Sequence, residues 1–434
     1  MAFSPSVKQG GEGIPRNESS KRVVCVLVSA LLAVSLFAGL SSAGRDVGAA
    51  GGAMGAAPED DVAEADIAKW TVLVYLVADN NLDEYTETDL LELELGGSSE
   101  DVNVLIIMDK LYEPAVLMTI EDHERVVLEE LGELNMGDQA TMEMFLAYGA
   151  ENYPAEHMVL FFWDHGSGVH GVACDETMPD GTISEDWLSH QELMAALDDY
   201  HMDILAADEC SIGQLETMYE YYSNEVDMDY WVASENYISW RGFSYDEILR
   251  RLIEDPDMGE RALSFVIVEE FTELFSVPPY QSEILTSQSV FDMSKVEALG
   301  AAVLEMASTL SGDMDTYSAL ISAAQMASLN PWGARSAGQI DLGTFVQYIL
   351  DNVEEGDPVA ADCEAVLSAH SECVIGMGVC KNNDLYGYTG MGILVPPSYS
   401  MYTVASAGSY ELYMAFDFPN IGWWAFLESF WGIA

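Results

Sequence analysis

The chain has 434 residues, in which 15 lysines and arginines face 74 aspartates and glutamates, for a formal net charge of −59. Nucleic acid is excluded as a partner, because binding it requires basic side chains that displace counterions from phosphates. Half of the residues are hydrophobic, which excludes a disordered polyanion and allows a sizeable core. We interpret the acidic surface as an adaptation to salty, halophilic surroundings, where salt screens self-repulsion. Recruitment of cationic substrates is the alternative.

The first 43 residues have the pattern of a targeting segment. Lys21 and Arg22 precede the apolar run 23–40, and small residues follow at 41–43. This pattern predicts a secretory signal peptide. Because the run is nearly long enough to span a bilayer, an uncleaved N-terminal anchor is the alternative. Residues 44–68, rich in Gly and Ala and then in acids, are predicted to be a flexible spacer, and no second membrane span is expected.

Strand and helix patterns alternate after the spacer. Continuous apolar runs predict buried strands over 70–78, 102–108, 158–163, 204–207 and 230–233. Periodic apolar residues predict helices over 82–95, 138–148, 187–200 and 211–222, with a hairpin at 115–131 and a Gly- and Asp-rich loop over 166–186. This alternation predicts an α/β fold whose mainly parallel sheet has helices on both faces. Beyond residue 255 we expect helices to about residue 370, with strands at 283–290 and 391–395.

Cysteine usage leaves two interpretations open. Cys25 would leave with the signal peptide, so five cysteines remain, and an odd number outside the cell leaves one thiol free. Cys363, Cys373 and Cys380 lie close in sequence, so one pair could form a disulfide. The alternative is that all five are small buried apolar residues. No spacing of Cys and His residues indicates a zinc site.

His165 and Cys210 are the candidate catalytic residues. Each follows a short apolar strand that ends in acidic residues, and they lie 45 residues apart. Catalytic groups in α/β proteins gather outside the carboxyl ends of parallel strands. A Cys and a His that meet there form a nucleophile and a proton shuttle. The alternatives are a loop histidine and a buried structural cysteine.

The sequence around the two residues suits this chemistry. Gly166 and Gly168 allow a sharp turn that exposes backbone N–H groups, as an oxyanion site requires. The predicted helix after Cys210 would lower the pKa of its thiol. Asp208 and Glu209 would act in the opposite direction. His170, His190 and His201 lack this strand-end setting and are expected to be ordinary loop or helix-surface residues.

Two blocks surround the candidate residues, Trp163-Asp-His-Gly-Ser-Gly168 and Asp208-Glu-Cys-Ser-Ile-Gly213. They resemble the histidine block and the cysteine block of the clostripain-like cysteine peptidases, family C11, in the clan that includes the caspases. Residues 70–82 are similar to the first strand of that family. The resemblance implies a caspase-like three-layer α/β/α sandwich with a C-terminal helical extension. It implies a catalytic core over 69–255, with 256–434 as the C-terminal part of the same peptidase unit.

The resemblance also implies residue roles. Cys210 would be the nucleophile, His165 would transfer the proton, and the amides of Gly166 and Cys210 would form the oxyanion site. Asp208 matches the acid that binds a basic P1 side chain, and Glu235 is a candidate second acid of that pocket. No cofactor would be required. Calcium is an optional ion in such relatives, although Asp79, Asn81 and Asp83 fit a helix cap better than a calcium loop.

The resemblance predicts a secreted or surface-tethered endopeptidase that cleaves proteins or peptides after Arg or Lys. The alternatives are the same chemistry with a different P1 preference, and a catalytically silent binding module on a peptidase fold. Contact with a membrane is expected only through the N-terminal segment. Relatives cut themselves after a basic residue between the His and Cys blocks, but no Lys or Arg occurs over 126–240. We therefore expect no self-activation by basic-site cleavage in that loop.

Overall fold

The fold is built around one nine-stranded sheet. The structure is a computed structural model and describes residues 67–280, 286–329, 338–379, 387–400 and 410–434. The strands of the sheet follow the order β12-β10-β9-β8-β5-β1-β2-β3-β4. Their bounds are β1 Ala68–Ala78, β2 Val102–Lys110, β3 Glu113–Glu121, β4 Glu124–Gly132, β5 Ala155–Trp163, β8 Met202–Asp208, β9 Met228–Ala233, β10 Ser287–Asp292 and β12 Val374–Val379. Two smaller sheets pair β6 Val172–Thr177 with β7 Ile183–Leu188, and β11 Gln339–Asp341 with β13 Gly392–Leu394.

The centre of the sheet is parallel. Strands β9, β8, β5, β1 and β2 pair in parallel, whereas both edges continue with antiparallel strands. Parallel strands are buried on both faces, and the central strands accordingly consist of nearly continuous apolar residues. The predicted α/β sandwich with a mainly parallel central sheet is therefore confirmed.

Two apolar cores lie on opposite faces of the sheet. Along β1, Leu73 and Tyr75 belong to one core, whereas Val72 and Val74 belong to the other. This alternation follows from the two-residue period of a strand. Each face is covered by helices, which gives three layers.

The helices divide between the two faces. The face of Val72 is covered by α1 Thr86–Gly96, α5 Tyr245–Glu254 and α6 Glu260–Leu274. The face of Leu73 is covered by α2 Gln139–Asn152, α3 His190–Leu197, α4 Leu215–Ser223, α7 Val296–Ser311, α8 Met314–Ala327, α9 Leu342–Asn352, α10 Pro358–Cys373 and α12 Trp424–Trp431, with the short α11 Tyr410–Tyr413 before the last. The C-terminal helices thus enlarge one of the two cores.

Three predicted elements differ from the structure. The 166–186 segment, predicted as a loop, contributes the hairpin β6–β7, and the following helix is shorter than predicted. The helix after Cys210 begins at Leu215 instead of Ser211. Strand β12 was not predicted at all, and β10 and β12, which come from beyond residue 255, lie in the same sheet as β1. The division of the unit at residue 255 stays a prediction.

Some sequence predictions fall outside the described residues. These are the signal peptide or anchor, all but the end of the spacer, and Cys380. Cys174, Cys363 and Cys373 are free and buried, in agreement with the apolar interpretation of these three. In the described part of the chain, none of the helices has both the length and the apolar character to cross a membrane.

Candidate active site

His165 and Cys210 lie at the same end of the parallel strands. Strands β5 and β8 are adjacent and parallel, and Trp163 on β5 is in register with Asp208 on β8. His165 lies two positions after Trp163, and Cys210 lies two positions after Asp208. The carboxyl ends of the two strands therefore bring the His loop and the Cys loop together, as their positions in the sequence predict.

The two loops are in direct contact at Gly166. A β-carbon at this position would overlap the Cys210 carbonyl oxygen and would also crowd the side chains of Glu209 and Ile212. Only glycine permits this approach. The glycine after His165 thus has a packing role between the loops.

The imidazole of His165 is held by Asn81, a residue of the loop that follows β1. Its Nε2 lies 3.0 Å from Asn81 Oδ1. Because the amide oxygen only accepts, Nε2 carries the proton of the neutral ring and Nδ1 keeps a lone pair. Burial lowers the pKa of His165, while the charge of Glu185 on β7 opposes that shift. The ring is thus a neutral imidazole with one nitrogen able to accept a proton.

The Cys210 thiol is bound to the backbone of Ile238, in the segment after β9. Sγ accepts a hydrogen bond of 3.3 Å from the Ile238 N–H. Burial raises the pKa of Cys210 to about 11, and the charges of Glu209, Asp208 and Asp164 add to this shift, whereas the Ile238 bond opposes it. In this conformation the thiol is protonated at neutral pH. Among the described residues no hydrogen bond joins it to His165.

The loop after Cys210 is fixed by neighbouring backbone. Ser211 has a positive φ of 61°, and its N–H donates to the Asn236 carbonyl at 2.9 Å. The Gly213 N–H donates to the Ser234 carbonyl at 2.8 Å. These bonds delay the helix to Leu215, so Cys210 is not at a helix N-terminus and the expected lowering of its thiol pKa by the helix is wrong.

Asp208 lies beneath the segment that contacts Cys210. Its Oδ2 accepts hydrogen bonds from the Phe243 N–H at 2.8 Å and the Tyr245 hydroxyl at 3.2 Å. Gly242 packs against this carboxylate and has a φ of +60°. Burial raises the pKa of Asp208 to about 7, although the bonds from Phe243 and Tyr245 counteract the shift. Asp208 is thus near the candidate site but largely covered.

Glu235 does not line a pocket in this conformation. The residue is fully buried, and its Oε1 accepts a hydrogen bond of 3.0 Å from the Gly390 N–H. Burial raises its pKa well above the usual range, and the neighbouring Asp341 adds to the effect. This placement joins the loop after β9 to the strands β11 and β13, and it does not favour contact with a substrate.

Two further acids lie under the His and Cys loops. Asp164 accepts from the Asn80 side-chain amide at 2.7 Å and from the Cys174 N–H. Glu209 accepts from the Ala173 N–H at 3.2 Å. Burial raises the pKa of both carboxyl groups well above the usual range. The acids therefore connect the two loops to β6, and their burial disfavours the charged forms.

The segment 79–83 does not have the contacts of a calcium loop. Asn80, and not Asp79, caps the following turn, because its Oδ1 accepts from the Leu82 N–H at 2.8 Å. Asn81 is bonded to His165, and Asp83 forms an ion pair with Lys110 at 3.5 Å. The predicted helix cap is not formed either, because the residue before α1 is Tyr85, whose side chain makes no capping hydrogen bond. The Asn80 bond closes only the turn after β1.

Among the alternative histidines, His190 was predicted wrongly as a surface residue. It is fully buried and lies 3.0 Å from the Tyr221 hydroxyl and 2.8 Å from the Gly168 carbonyl. Burial lowers the pKa of His190 to about 4. It therefore supports the Gly-rich turn as a neutral ring. His170 is half-buried beside Trp187, with ring centroids 6.2 Å apart.

Asn81, Tyr237 and Ile238 are site residues that sequence analysis missed. Asn81 lies in the Asp-Asn-Asn run that suggested only a cap. Tyr237 is 40% exposed, and the charge of Cys210 contributes, after burial, to raising its pKa. No sequence pattern indicated that the backbone of this segment would contact the thiol.

The sheet, its two helical layers and the paired strand ends define an α/β/α protein with a candidate Cys–His site. The clostripain family model of C11 peptidases matches residues 74–391. The chain therefore belongs to the clostripain family of cysteine peptidases, which confirms the resemblance.

Individual relatives are distant. Clostripain of Hathewaya histolytica is 24% identical over 299 residues, which cover 56% of this chain and 57% of that protein. An inactive zymogen C11 protease from Parabacteroides distasonis superimposes with a TM-score of 0.61 at 20% identity, over 82% of this chain and 98% of that one. A secreted C11 cysteine protease from Bacteroides thetaiotaomicron, in complex with an irreversible peptide inhibitor, gives a TM-score of 0.62 at 20% identity, over 80% and 99%. At these identities the two structures establish the shared fold.

Proposed function

We propose that the protein is a cysteine endopeptidase in which Cys210 and His165 form the catalytic dyad. The carrying observation is the register of Trp163 with Asp208, which brings the residues that follow them to one edge of the sheet. Family membership supports the reaction class, and the secreted relative bound to a peptide inhibitor supports peptides as substrates.

The dyad performs acyl transfer in two steps. The Cys210 sulfur attacks the peptide carbonyl carbon after His165 has taken the thiol proton at Nδ1. The carbonyl oxygen then carries negative charge, which the amides of Gly166 and Cys210 stabilise. His165 returns the proton to the leaving amine as the C–N bond breaks. Water, deprotonated by His165, then cleaves the thioester and regenerates the thiol.

The contacts of the described conformation correspond to a resting state of this enzyme. The thiol is engaged by Ile238 and the imidazole by Asn81. A pKa of about 11 leaves the thiol protonated. Substrate binding has to bring the thiol within reach of Nδ1. Thiol chemistry of this kind requires no metal. Calcium is an optional ion, and the assay is therefore run with and without it.

We propose Asp208 as the acid that selects Arg or Lys at P1. A carboxylate at a pocket floor binds a guanidinium strongly. Gly242 and Phe243 cover this carboxylate, so the segment 237–242 has to shift when a basic side chain enters. Glu235 contributes by holding the loop after β9, and not by contacting substrate.

We also propose that the protein cleaves proteins or peptides outside the cell. It is either secreted or held at the cell surface by residues 1–43. The strongly acidic surface suits a salty medium. Nucleic acid is not a partner, and a membrane is contacted only through the N-terminal segment.

The test is an assay of the purified chain in high salt and reductant with fluorogenic peptides ending in Arg, Lys, Asn or Asp. We expect turnover of the Arg and Lys peptides and none by Cys210→Ala. Turnover confined to Asn or Asp peptides would retain the chemistry and reject the role of Asp208. Turnover no higher than that of Cys210→Ala on every peptide, with and without calcium, would favour a binding module.

A further inference from the structure

A second group of reactive side chains lies at the amino ends of the parallel strands, whereas Cys210 lies at their carboxyl ends. His201 precedes β8, Asp203 lies within it, and Asp227 and Asp229 stand at the start of β9. Cys210 follows the other end of β8. At about 3.3 Å per residue, the two groups are separated by roughly 25 Å.

Three of these side chains converge on one point. His201 Nε2 lies 3.8 Å from Asp203 Oδ1 and 3.5 Å from Asp229 Oδ2. One nitrogen or oxygen atom from each residue lies within 4.8 Å of the others. Atoms that bind one zinc ion at about 2.0–2.1 Å in tetrahedral geometry are about 3.4 Å apart. The observed separations approach this value without any backbone movement.

The orientation of the His201 ring suits a residue that binds a metal ion. Its Nδ1 lies 3.0 Å from Asp227 Oδ1. A carboxylate accepts, so Nδ1 carries a proton and donates to Asp227. In the neutral ring this places the lone pair on Nε2, which faces Asp203 and Asp229. A carboxylate behind a metal-binding histidine is the arrangement that fixes the tautomer of such ligands.

Asp203 is also held in place. It is the most buried of the three, with a side-chain exposure of 6%. Its Oδ1 lies 2.6 Å from His157 Nδ1, and its Oδ2 accepts from the Met158 N–H at 2.7 Å. A separation of 2.6 Å is too short for two atoms that share a metal, so His157 supports Asp203 as a hydrogen-bond donor.

The cluster has an excess of negative charge. Glu260, at the first position of α6, lies within 4.8 Å of His157 and Asp203. Asp227 adds a fourth carboxylate beside those of Asp203, Asp229 and Glu260, and like charges this close repel one another. A cation between the carboxylates relieves this repulsion, and a proton on His201 is the competing means of doing so. His201 and Asp229 are 45% and 47% exposed, so an ion has access from solvent.

We propose that His201, Asp203 and Asp229 bind a divalent transition-metal ion of the zinc class, supported by Asp227 and His157. One nitrogen and two carboxylate oxygens form the donor set, and water completes the coordination. Sequence analysis found no zinc pattern, because the ligands come from the starts of two neighbouring strands instead of one short motif. The proposal does not depend on the peptidase function.

The experiment is calorimetric titration of Zn²⁺ into the purified chain carrying Cys210→Ala, which removes the active-site thiol as a competing ligand. High NaCl screens unspecific binding by the acidic surface. We expect one ion per chain. His201→Gln or Asp229→Asn should abolish this binding step, and Asp227→Asn should weaken it by about 10–100-fold. His123→Gln, on the exposed turn between β3 and β4, is the matched control and should bind as the parent does.

Co²⁺ provides an independent readout, since its visible absorption reports four- or five-fold coordination. The parent and His123→Gln should show these bands, and His201→Gln should not. Equal Zn²⁺ binding by parent and His201→Gln would overturn the proposal. So would the absence of a saturable one-to-one step in the parent, which would leave His201 with a proton only.

Discussion

Gly166 lies so close to the Cys210 carbonyl that no side chain can be placed between them. We predict that Gly166→Ala lowers kcat by about 100-fold, because a displacement near 1 Å between reacting groups has an effect of that size. Steady-state kinetics on an Arg peptide measures the loss. Gly259→Ala is the matched control, since nothing lies within 4 Å of its added methyl group. Equal kcat values for the two variants would show that the contact does not position the dyad.

Asn81 is predicted to orient His165. Asn81→Ala removes the acceptor from Nε2, and we expect kcat to fall by about tenfold or more with little change in KM. Asn81→Asp should instead raise the pKa of His165, because a carboxylate stabilises the imidazolium. The acidic limb of the pH–kcat/KM profile should then move to higher pH. Asn152→Ala, at an exposed helix end, should leave the profile unchanged. A profile that stays fixed in Asn81→Asp would contradict the positioning role.

The pKa of Asp208 makes P1 selection depend on pH. This pKa is about 7 because the residue is buried, so the carboxylate is mostly neutral at pH 6 and mostly charged at pH 8. The ratio of kcat/KM for an Arg peptide to that for its Gln counterpart should therefore rise about tenfold over this range. Because both substrates share the thiol and imidazole, their titration cancels in the ratio.

Asp208→Asn should remove this dependence on pH and lower the ratio at pH 8. Asp198→Asn, an exposed charge at the end of α3, serves as control. A pH-independent ratio in the unmodified protein would reject Asp208 as the specificity acid.

Buried acids should make the fold more stable at mildly acidic pH. Burial raises the pKa of Asp109 to about 8 and that of Asp175 to about 7. Since these values lie above the unfolded ones, the folded state holds protons that the unfolded chain has released. The contribution of these two groups to stability is then fully present below about pH 4 and is lost as pH rises through 7 to 8. Thermal unfolding in high salt should give a higher Tm at pH 5.5 than at pH 8.

The neutral variant Asp109→Asn should have a smaller difference in Tm between the two pH values. Asp101→Asn, on an exposed turn, should retain the full difference. A Tm that rises with pH would mean that the buried carboxyl groups are stabilised as anions.

Arg241 anchors the segment that covers Cys210. It is 7% exposed and forms ion pairs with Asp89 at 3.2 Å and with Glu92. Arg241→Gln leaves two buried acids without their partner and should reduce the free energy of unfolding by about 3–5 kcal/mol. Arg250→Gln removes only exposed pairs on α5 and should cost about 0.5 kcal/mol. Denaturant unfolding compares the two, and similar losses would contradict the anchoring role.

The sequence was sufficient to predict the central strands because they are buried on both faces and appear as continuous apolar runs. The hairpin β6–β7 escaped prediction because its apolar residues form runs of only three and two positions, 172–174 and 187–188, and its pairing is decided by tertiary contacts. The helix after Cys210 was placed too early, since Ser211 and Gly213 bond to backbone beyond β9. These long-range hydrogen bonds compete with helix formation, and the local sequence pattern does not indicate them.

The candidate site was also only partly predictable from the sequence. His165 and Cys210 could be predicted because strand ends and glycines mark them. Asn81 and Ile238 could not, because they contact the dyad from loops more than 25 residues away in sequence. The covering of Asp208 and Glu235 likewise depends on how these loops pack. The sequence therefore predicted that the two candidate residues lie at one end of the parallel strands, but not the contacts that hold them.

Covalent labelling tests the central claim most directly. The purified chain is incubated with a peptide chloromethyl ketone that ends in Arg, and the modified residue is identified by peptide mass mapping. We predict one label per chain, on Cys210, and its loss in His165→Ala. Labelling of Cys174, Cys363 or Cys373 instead, or equal labelling of Cys210 with and without His165, would contradict a Cys210–His165 dyad.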